Sequence, residues 1–204
     1  MATSTDLARA VASALGLSEK AVLLHLKHIR AVPGTITFKG HGSSAADMTP
    51  LDAARLVIVT AGSAYAANAA RTLRRFAGLA STRPGHTAAS LEQMLAETIA
   101  GVRSGRFRRP GPPGPEHYAR PDVLAEACLK LTWPEGEIGD SLPCVATIRR
   151  FRSSGGHDTF TFASAELGHR YVDEARLMGA LEEVRVTTTR SVSFSALERV
   201  AAAL

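Results

Sequence analysis

The sequence predicts an α+β protein: a helical N-terminal domain with a small wing, a Pro/Arg-rich linker, and a small C-terminal α+β unit. Three observations carry this. Apolar residues recur at helical spacing from Leu7 to Val102. Residues 103–121 hold five arginines and five prolines with few apolar side chains. From residue 122 onward, β-branched and aromatic residues alternate with polar ones around Gly-containing turns.

The first helix is expected over "TDLARAVASAL", with Leu7, Ala10, Val11, Ala14 and Leu15 at helical spacing. Ser4 or Thr5 can cap it and Gly16 can end it. A second helix, "SEKAVLLHLKHIRAV", starts from Ser18 as N-cap, sets Val22, Leu26 and Ile29 on one face, and stops at Pro33-Gly34. Leu17, between the two, is expected to plug the core. "TITFKGHGSS" alternates around Gly40 and Gly42 and predicts the wing. "TPLDAARLVIVTAGSAYAANAARTLRRFAGL" places Thr49 as cap, Pro50 at the first helical position and Asp52 in reach for reciprocal capping. Its apolar run from Leu51 to Val59 predicts the buried centre, with a break or a kink at Gly62-Ser63. "SLEQMLAETIAGV" aligns Leu91, Met94, Leu95, Thr98, Ile99 and Val102 in one stripe.

Residues 103–121 cannot bury a core and read as a flexible, extended linker. They divide the chain into an N-terminal helical domain, 1–102, and a C-terminal unit, 122–204. In that unit "AEACLKLTW" reads as a strand with Ala127, Leu129, Leu131 and Trp133 on one face. "CVATIRRF" and "HDTFTFA" read as a hairpin about "SSGG". "SAELGHRYVDEARLMGALEE" reads as a helix weakened at Gly168 and Gly179, "VRVTTTRSVSF" as a strand, and "SALERVAAAL" as a helix with a Ser195/Glu198 capping box.

The net charge of +5 is unevenly spread. Residues 1–121 carry 15 Lys+Arg against 7 Asp+Glu, and residues 122–204 carry 9 against 12, so +8 and −3 make up the whole. A polyanion is therefore expected to meet the first part. No apolar run nears the roughly 20 residues of a membrane span, and no signal peptide is read at the N-terminus. Cys128 and Cys144 are too few for a disulfide framework. A cytoplasmic protein with free thiols and no membrane partner is the expectation.

A short helix, a tight turn and a second helix with an exposed N-terminal half make up a helix-turn-helix. "LARAVASALGLSEKAVLLHLKHI" has these parts: small Ala10 where helices meet, Gly16 for the turn, and Val22, Leu26 and Ile29 to anchor the second helix. "LGLSEKAV", followed by "ITFKGHGSS" and "MTPLDAARLV", resembles the winged-helix and helix-turn-helix regulators of bacteria and their phages. The resemblance spans about residues 5–60. It extends more loosely to prophage- and gene-transfer-agent-associated regulators. It implies duplex DNA as partner and transcriptional regulation of phage-type genes. No resemblance covers residues 122–204; that unit, at net −3, does not suit a second DNA surface and is expected to serve homodimerisation or a protein partner.

The groove-facing candidates are Ser18, Glu19, Lys20, Leu24, Lys27 and His28, with His25 behind them. Leu23 and Leu24 depart from the polar groups such helices carry. Leucine touches a thymine methyl but has no donor or acceptor. Binding is then carried mainly by phosphate contacts, or the leucines serve a protein contact. The wing offers Lys39 and His41, with Ser43 and Ser44, to the backbone. Arg106, Arg108 and Arg109 are placed as an arm on the duplex. A small-terminase-like packaging subunit and a protein-interaction module without DNA are the alternative readings.

No catalytic residue, metal or cofactor is expected. There is no G-x-x-x-x-G-K-[ST], G-x-S-x-G or H-E-x-x-H pattern. His25 and His28 lack a third ligand at family spacing, "SSGGHD" reads as a hairpin loop, and "WPEGEIGD" as a solvated acidic loop.

Overall fold

Side-chain caps set where the helices begin. In the structure, a computed structural model that describes residues 2–36, 47–82, 89–108, 127–134, 143–151, 156–168 and 187–204, helix α1 (Ser4–Leu15) is capped by Thr3. Thr3 Oγ1 accepts the Asp6 amide at 3.2 Å while the Asp6 carboxylate accepts the Thr3 amide at 3.0 Å. The Thr3 hydroxyl, which donates to the same carboxylate at 2.6 Å, and after it the Thr3 amide hold the Asp6 carboxyl below its ordinary 3.8. The cap is thus Thr3 and not Ser4 or Thr5, because only Thr3 has a carboxylate three residues on. Helix α2 (Glu19–Arg30) starts from Ser18 as expected, and α3 (Pro50–Gly62) starts from the Thr49/Asp52 box.

A 3-10 turn (Ala66–Asn68) leads into α4 (Ala69–Ala77), and the short strand β1 (Ala80–Ser81) precedes α5 (Leu91–Arg103). Strands β2 (Ala127–Pro134), β3 (Val145–Phe151) and β4 (His157–Ala163) follow, then α6 (Ala165–Gly168), β5 (Thr187–Ser193) and α7 (Phe194–Ala202). The expected Ser195/Glu198 box gives way to Ser193, whose Oγ accepts the Ala196 amide at 3.2 Å. Phe194 is fully buried, edge-on to Phe151, so strand and helix join with no spacer between them. The wing expected at 35–44 lies outside the described residues from 37 on, as does the long helix expected at 164–183 from 169 on.

The sheet is antiparallel throughout, in the order β1-β4-β3-β2-β5. Leu129 and Leu131 pair with Ile148 and Ala146, which pair in turn with Phe160 and Phe162. All six are buried, so the inward face expected of β2 forms, with Trp133 at its half-buried rim.

One core serves both ends of the chain. Leu7, Val22, Leu56 and Leu95 belong to the same buried cluster as Leu129, Ile148 and Leu197. Helix α1 packs on α7, α5 on α3, α7 and β3, and α3 on β5. Residues 103–121 therefore do not separate two cores. Nor are residues 103–108 a free spacer: the Phe107 amide donates to Gly101 O at 3.1 Å and the Arg108 amide to Phe151 O at 3.3 Å. Phe107 packs against the core and carries the chain with it. Residues 109–126 lie outside the described part.

Arg150 ties α5 to the sheet. Its Nε donates to Thr98 Oγ1 at 2.8 Å, and its Nη2 to Met94 O at 2.7 Å and Glu97 Oε2 at 3.2 Å. The guanidinium also lies over the Phe107 and Phe160 rings, 5.3 and 5.1 Å from their centroids. Burial lowers its pKa, and Glu97 opposes that shift. Arg150→Ala should lower the unfolding free energy by roughly 2–4 kcal/mol, from lost hydrogen bonds and the vacated stem. Glu97→Ala should cost within roughly 1 kcal/mol, because that carboxylate is 60% exposed. Urea unfolding of the two variants checks the contrast; equal costs would place the stability in the ion pair.

Cys128 and Cys144 are free and buried. The Cys128 thiol donates to Arg149 O at 2.9 Å, and burial pushes its pKa from 9.0 up to about 12. Between these values the unfolded thiol ionises and the folded one does not, so its share of stability is full below 9.0 and falls as pH rises to about 12. Urea unfolding across this window should show a fall that Cys128→Ala flattens. Parallel curves for the two proteins would mean the thiol ionises freely in the fold.

Candidate nucleic-acid interface

The turn between α1 and α2 is set by Gly16, at φ 66° and ψ 33°. This left-handed conformation strains a residue with a Cβ. It lets the Leu17 amide donate back to Ala12 O at 2.9 Å. Leu17 itself turns outward, 43% exposed, and does not plug the core as expected. The turn is tight enough that Val11 and Val22 already close the space between the helices, both fully buried. Across the turn Arg9 meets Glu19 at 3.4 Å, an exposed pair worth little in stability.

Helix α2 has two faces. Val22, His25, Leu26 and Ile29 are buried, at helical spacing. Opposite them Lys20, Leu23, Leu24 and Lys27 are exposed, the leucines at 36% and 48%. Leu23 and Leu24 are therefore not core side chains. Ser18 is exposed, and its Oγ accepts the Ala21 amide at 3.2 Å, which leaves its hydroxyl proton to donate outward. His28 is half-buried at the edge of this face. His25 leaves it altogether: the ring is buried, with Nδ1 2.9 Å from Ala21 O. Among the described residues no group of three His, Cys, Asp or Glu side chains is placed to hold a metal.

The back of α2 is held by Arg55 of α3. Its Nη1 donates to Gly34 O at 3.0 Å and Thr35 O at 2.6 Å, and its Nε meets Glu92 at 2.7 Å. Thr35 in turn donates to Val32 O at 2.7 Å and to Ile29 O. The end of α2 and the starts of α3 and α5 thus meet at one guanidinium. Arg30, on the same side, has its pKa lowered by burial, with Asp52 opposing.

The remaining candidates are dispersed. Lys39, His41 and Arg109 lie outside the described residues. Arg106 and Arg108 are exposed, but they follow the far end of α5. The helix itself puts on the order of 20 Å between them and the Arg55–Glu92 corner. Arg106 rests 4.7 Å from the Phe107 ring centroid. No described contact joins this pair to the exposed face of α2.

Sequence reasoning missed two residues nearer to α2. Helix α4 packs directly on it, with Thr72, Leu73 and Phe76 buried and Arg71 and Arg74 exposed. The signal is the one-turn spacing of two arginines opposite an apolar pair. Tyr65, 72% exposed just before the 3-10 turn, was also not singled out. Comparison with protein-family models, curated proteins and solved structures finds no match.

Proposed function

We propose that the chain binds duplex DNA, with α1, the Gly16 turn and α2 acting as a helix-turn-helix and α2 as the reading helix. On this reading it is a non-enzymatic transcriptional regulator of phage-type genes that works as a homodimer. One observation carries the proposal: α2 keeps Lys20, Leu23, Leu24 and Lys27 exposed along one face while its opposite face is locked in the core. Lys20 and Lys27 are about 10.5 Å apart along the axis, close to the ~12 Å width of a major groove. They reach phosphates at either end, Leu24 meets a thymine methyl, and Ser18 and His28 supply the polar contacts. With few hydrogen-bonding groups on the face, phosphate supplies most of the affinity. Lys39 and His41 are proposed as backbone contacts. Arg106, Arg108 and Arg109 reach a flanking stretch of duplex, adding affinity without selectivity.

A second reading has its own observation. Leu17, Leu23, Leu24 and Tyr65 are the exposed large apolar side chains among the described residues, which suits a protein partner. The two readings separate in solution. Bound to DNA, the protein should lose affinity steeply with salt, each neutralised phosphate contributing about −0.9 to the log–log slope. A flat response would favour the protein partner.

Leu24→Ala should weaken selected genomic fragments more than random duplex. It should leave the unfolding free energy within roughly 0.5 kcal/mol of wild type, since the side chain is half exposed. Competition binding and thermal melting test this together. Unchanged selectivity would remove Leu24 from the reading face.

A further inference from the structure

We infer that the turn after α5 is a preorganised phosphate site, in which Arg106 and Arg108 hold a phosphate group of a nucleic-acid backbone. The inference rests on the DNA reading for the source of that phosphate and deepens it. The site itself stands on the geometry of the turn. Gly105 takes φ 73°, and its amide donates to Val102 O at 3.0 Å. Phe107 then folds back on the helix: a Cβ on Gly101 would stand 2.3 Å from two of its ring carbons. The ring is half-buried against the core, so it cannot leave without exposing apolar surface. The bonds from the Phe107 and Arg108 amides to Gly101 and Phe151 close the turn onto both α5 and β3. Residues 105–108 thus carry their side chains on a fixed backbone.

The two guanidinium groups lie where side chains are missing. Arg106 Nε would be 3.2 Å from a Cβ on Gly101, and Arg108 Nη2 4.0 Å from one on Gly105. Both arginines are exposed, and among the described residues neither side chain makes a hydrogen bond or an ion pair. Two carboxylates belong to this corner. Glu97 is engaged by Arg150, and Asp158 stands opposite Arg150 in the register of β3 and β4. Arg103, exposed in the last turn of α5, adds a further positive charge. Arg106 and Arg150 share the Phe107 ring, 4.7 and 5.3 Å from its centroid. Burial is the chief cause that lowers the Arg150 pKa, and Arg106 lowers it further. An anion held by Arg106 offsets that repulsion. A guanidinium fork matches the oxygens of a phosphate. The pair is open to solvent and not enclosed, which suits a phosphate carried on a polymer better than a small molecule that needs burial.

The test uses the full chain. Arginine Nε–H signals are read by NMR, and binding of a fluorescein-labelled random-sequence duplex by anisotropy over a range of potassium chloride. The duplex should move the Arg106 and Arg108 signals, which single lysine substitutions assign. Inorganic phosphate should move the same two signals saturably, while potassium chloride at equal ionic strength leaves them in place. Arg106→Ala/Arg108→Ala should make the log–log salt slope shallower by about 0.9 for each contact. Arg106→Lys/Arg108→Lys should keep the slope, because a point charge suffices for a phosphate. If the alanine pair melts early, the wild-type signals decide. Signals that ignore both probes, or that follow chloride equally, overturn the inference. A folded alanine pair with the wild-type slope also overturns it, and the DNA reading stands. Signals that move with inorganic phosphate in a protein that binds no duplex support the site, and overturn the DNA reading together with the backbone as its source.

Discussion

A guanidinium buried between a helix and a sheet holds this chain in one piece. Arg150 stands on β3 and spends its donors on α5, at Thr98, Met94 and Glu97. Its flat faces take the rings of Phe107 and Phe160. A buried cation is tolerable only when its hydrogen bonds are made, so this group dictates where α5 lies on the sheet. The position of α5 dictates much else. Its start is clasped by Arg55, which also fixes the exit of α2. Its end leads into Phe107, which brings the following residues back to β3.

The face proposed to meet DNA is the outermost consequence of that arrangement. Val22, Leu26 and Ile29 turn inward because the core wants them, and Lys20, Leu23, Leu24 and Lys27 are left outside by the same helical period. Nothing inside asks for leucine at 23 and 24, so their identity belongs to whatever touches that surface. The reading of α2 as a groove helix and the reading as a protein-binding helix both begin from these residues. Only the lysines beside them, Lys20 and Lys27, favour a polyanion.

Local chemistry was legible in the sequence; long-range assembly was not. Ser18, Thr49 and Asp52 act as their order implied, because a cap depends on neighbours three residues away. The stripe of α5 and the strands β2 to β5 follow from period alone. At α1 the position of the acid, Asp6, selects Thr3 as the cap over the neighbouring hydroxyls of Ser4 and Thr5. Leu17 was misplaced because hydrophobicity says a residue gains from burial, not that room remains for it. The division at 103–121 looked firm from composition. One aromatic in a polar stretch, Phe107, was enough to tie its beginning to the core. Of the candidate interface, α2 was visible as a helix with two faces. The nearness of α4, with Arg71 and Arg74, was not, since it comes from packing beside a helix some fifty residues earlier.

Strand β1 is two residues long, yet it has a consequence for how the chain reaches its fold. It pairs with β4, so Ala80 waits for Ala163. Helix α1 waits longer, since its Ser13 carbonyl is met by Arg199 at 3.3 Å. Contacts this distant in sequence close late, and they make folding slow compared with a helical bundle of the same size. As the chain leaves the ribosome, α3 and α5 emerge with apolar faces that have no sheet to cover them. The helices then cannot be completed as a separate first domain, and the growing chain depends on its last strands to hide what its first helices expose.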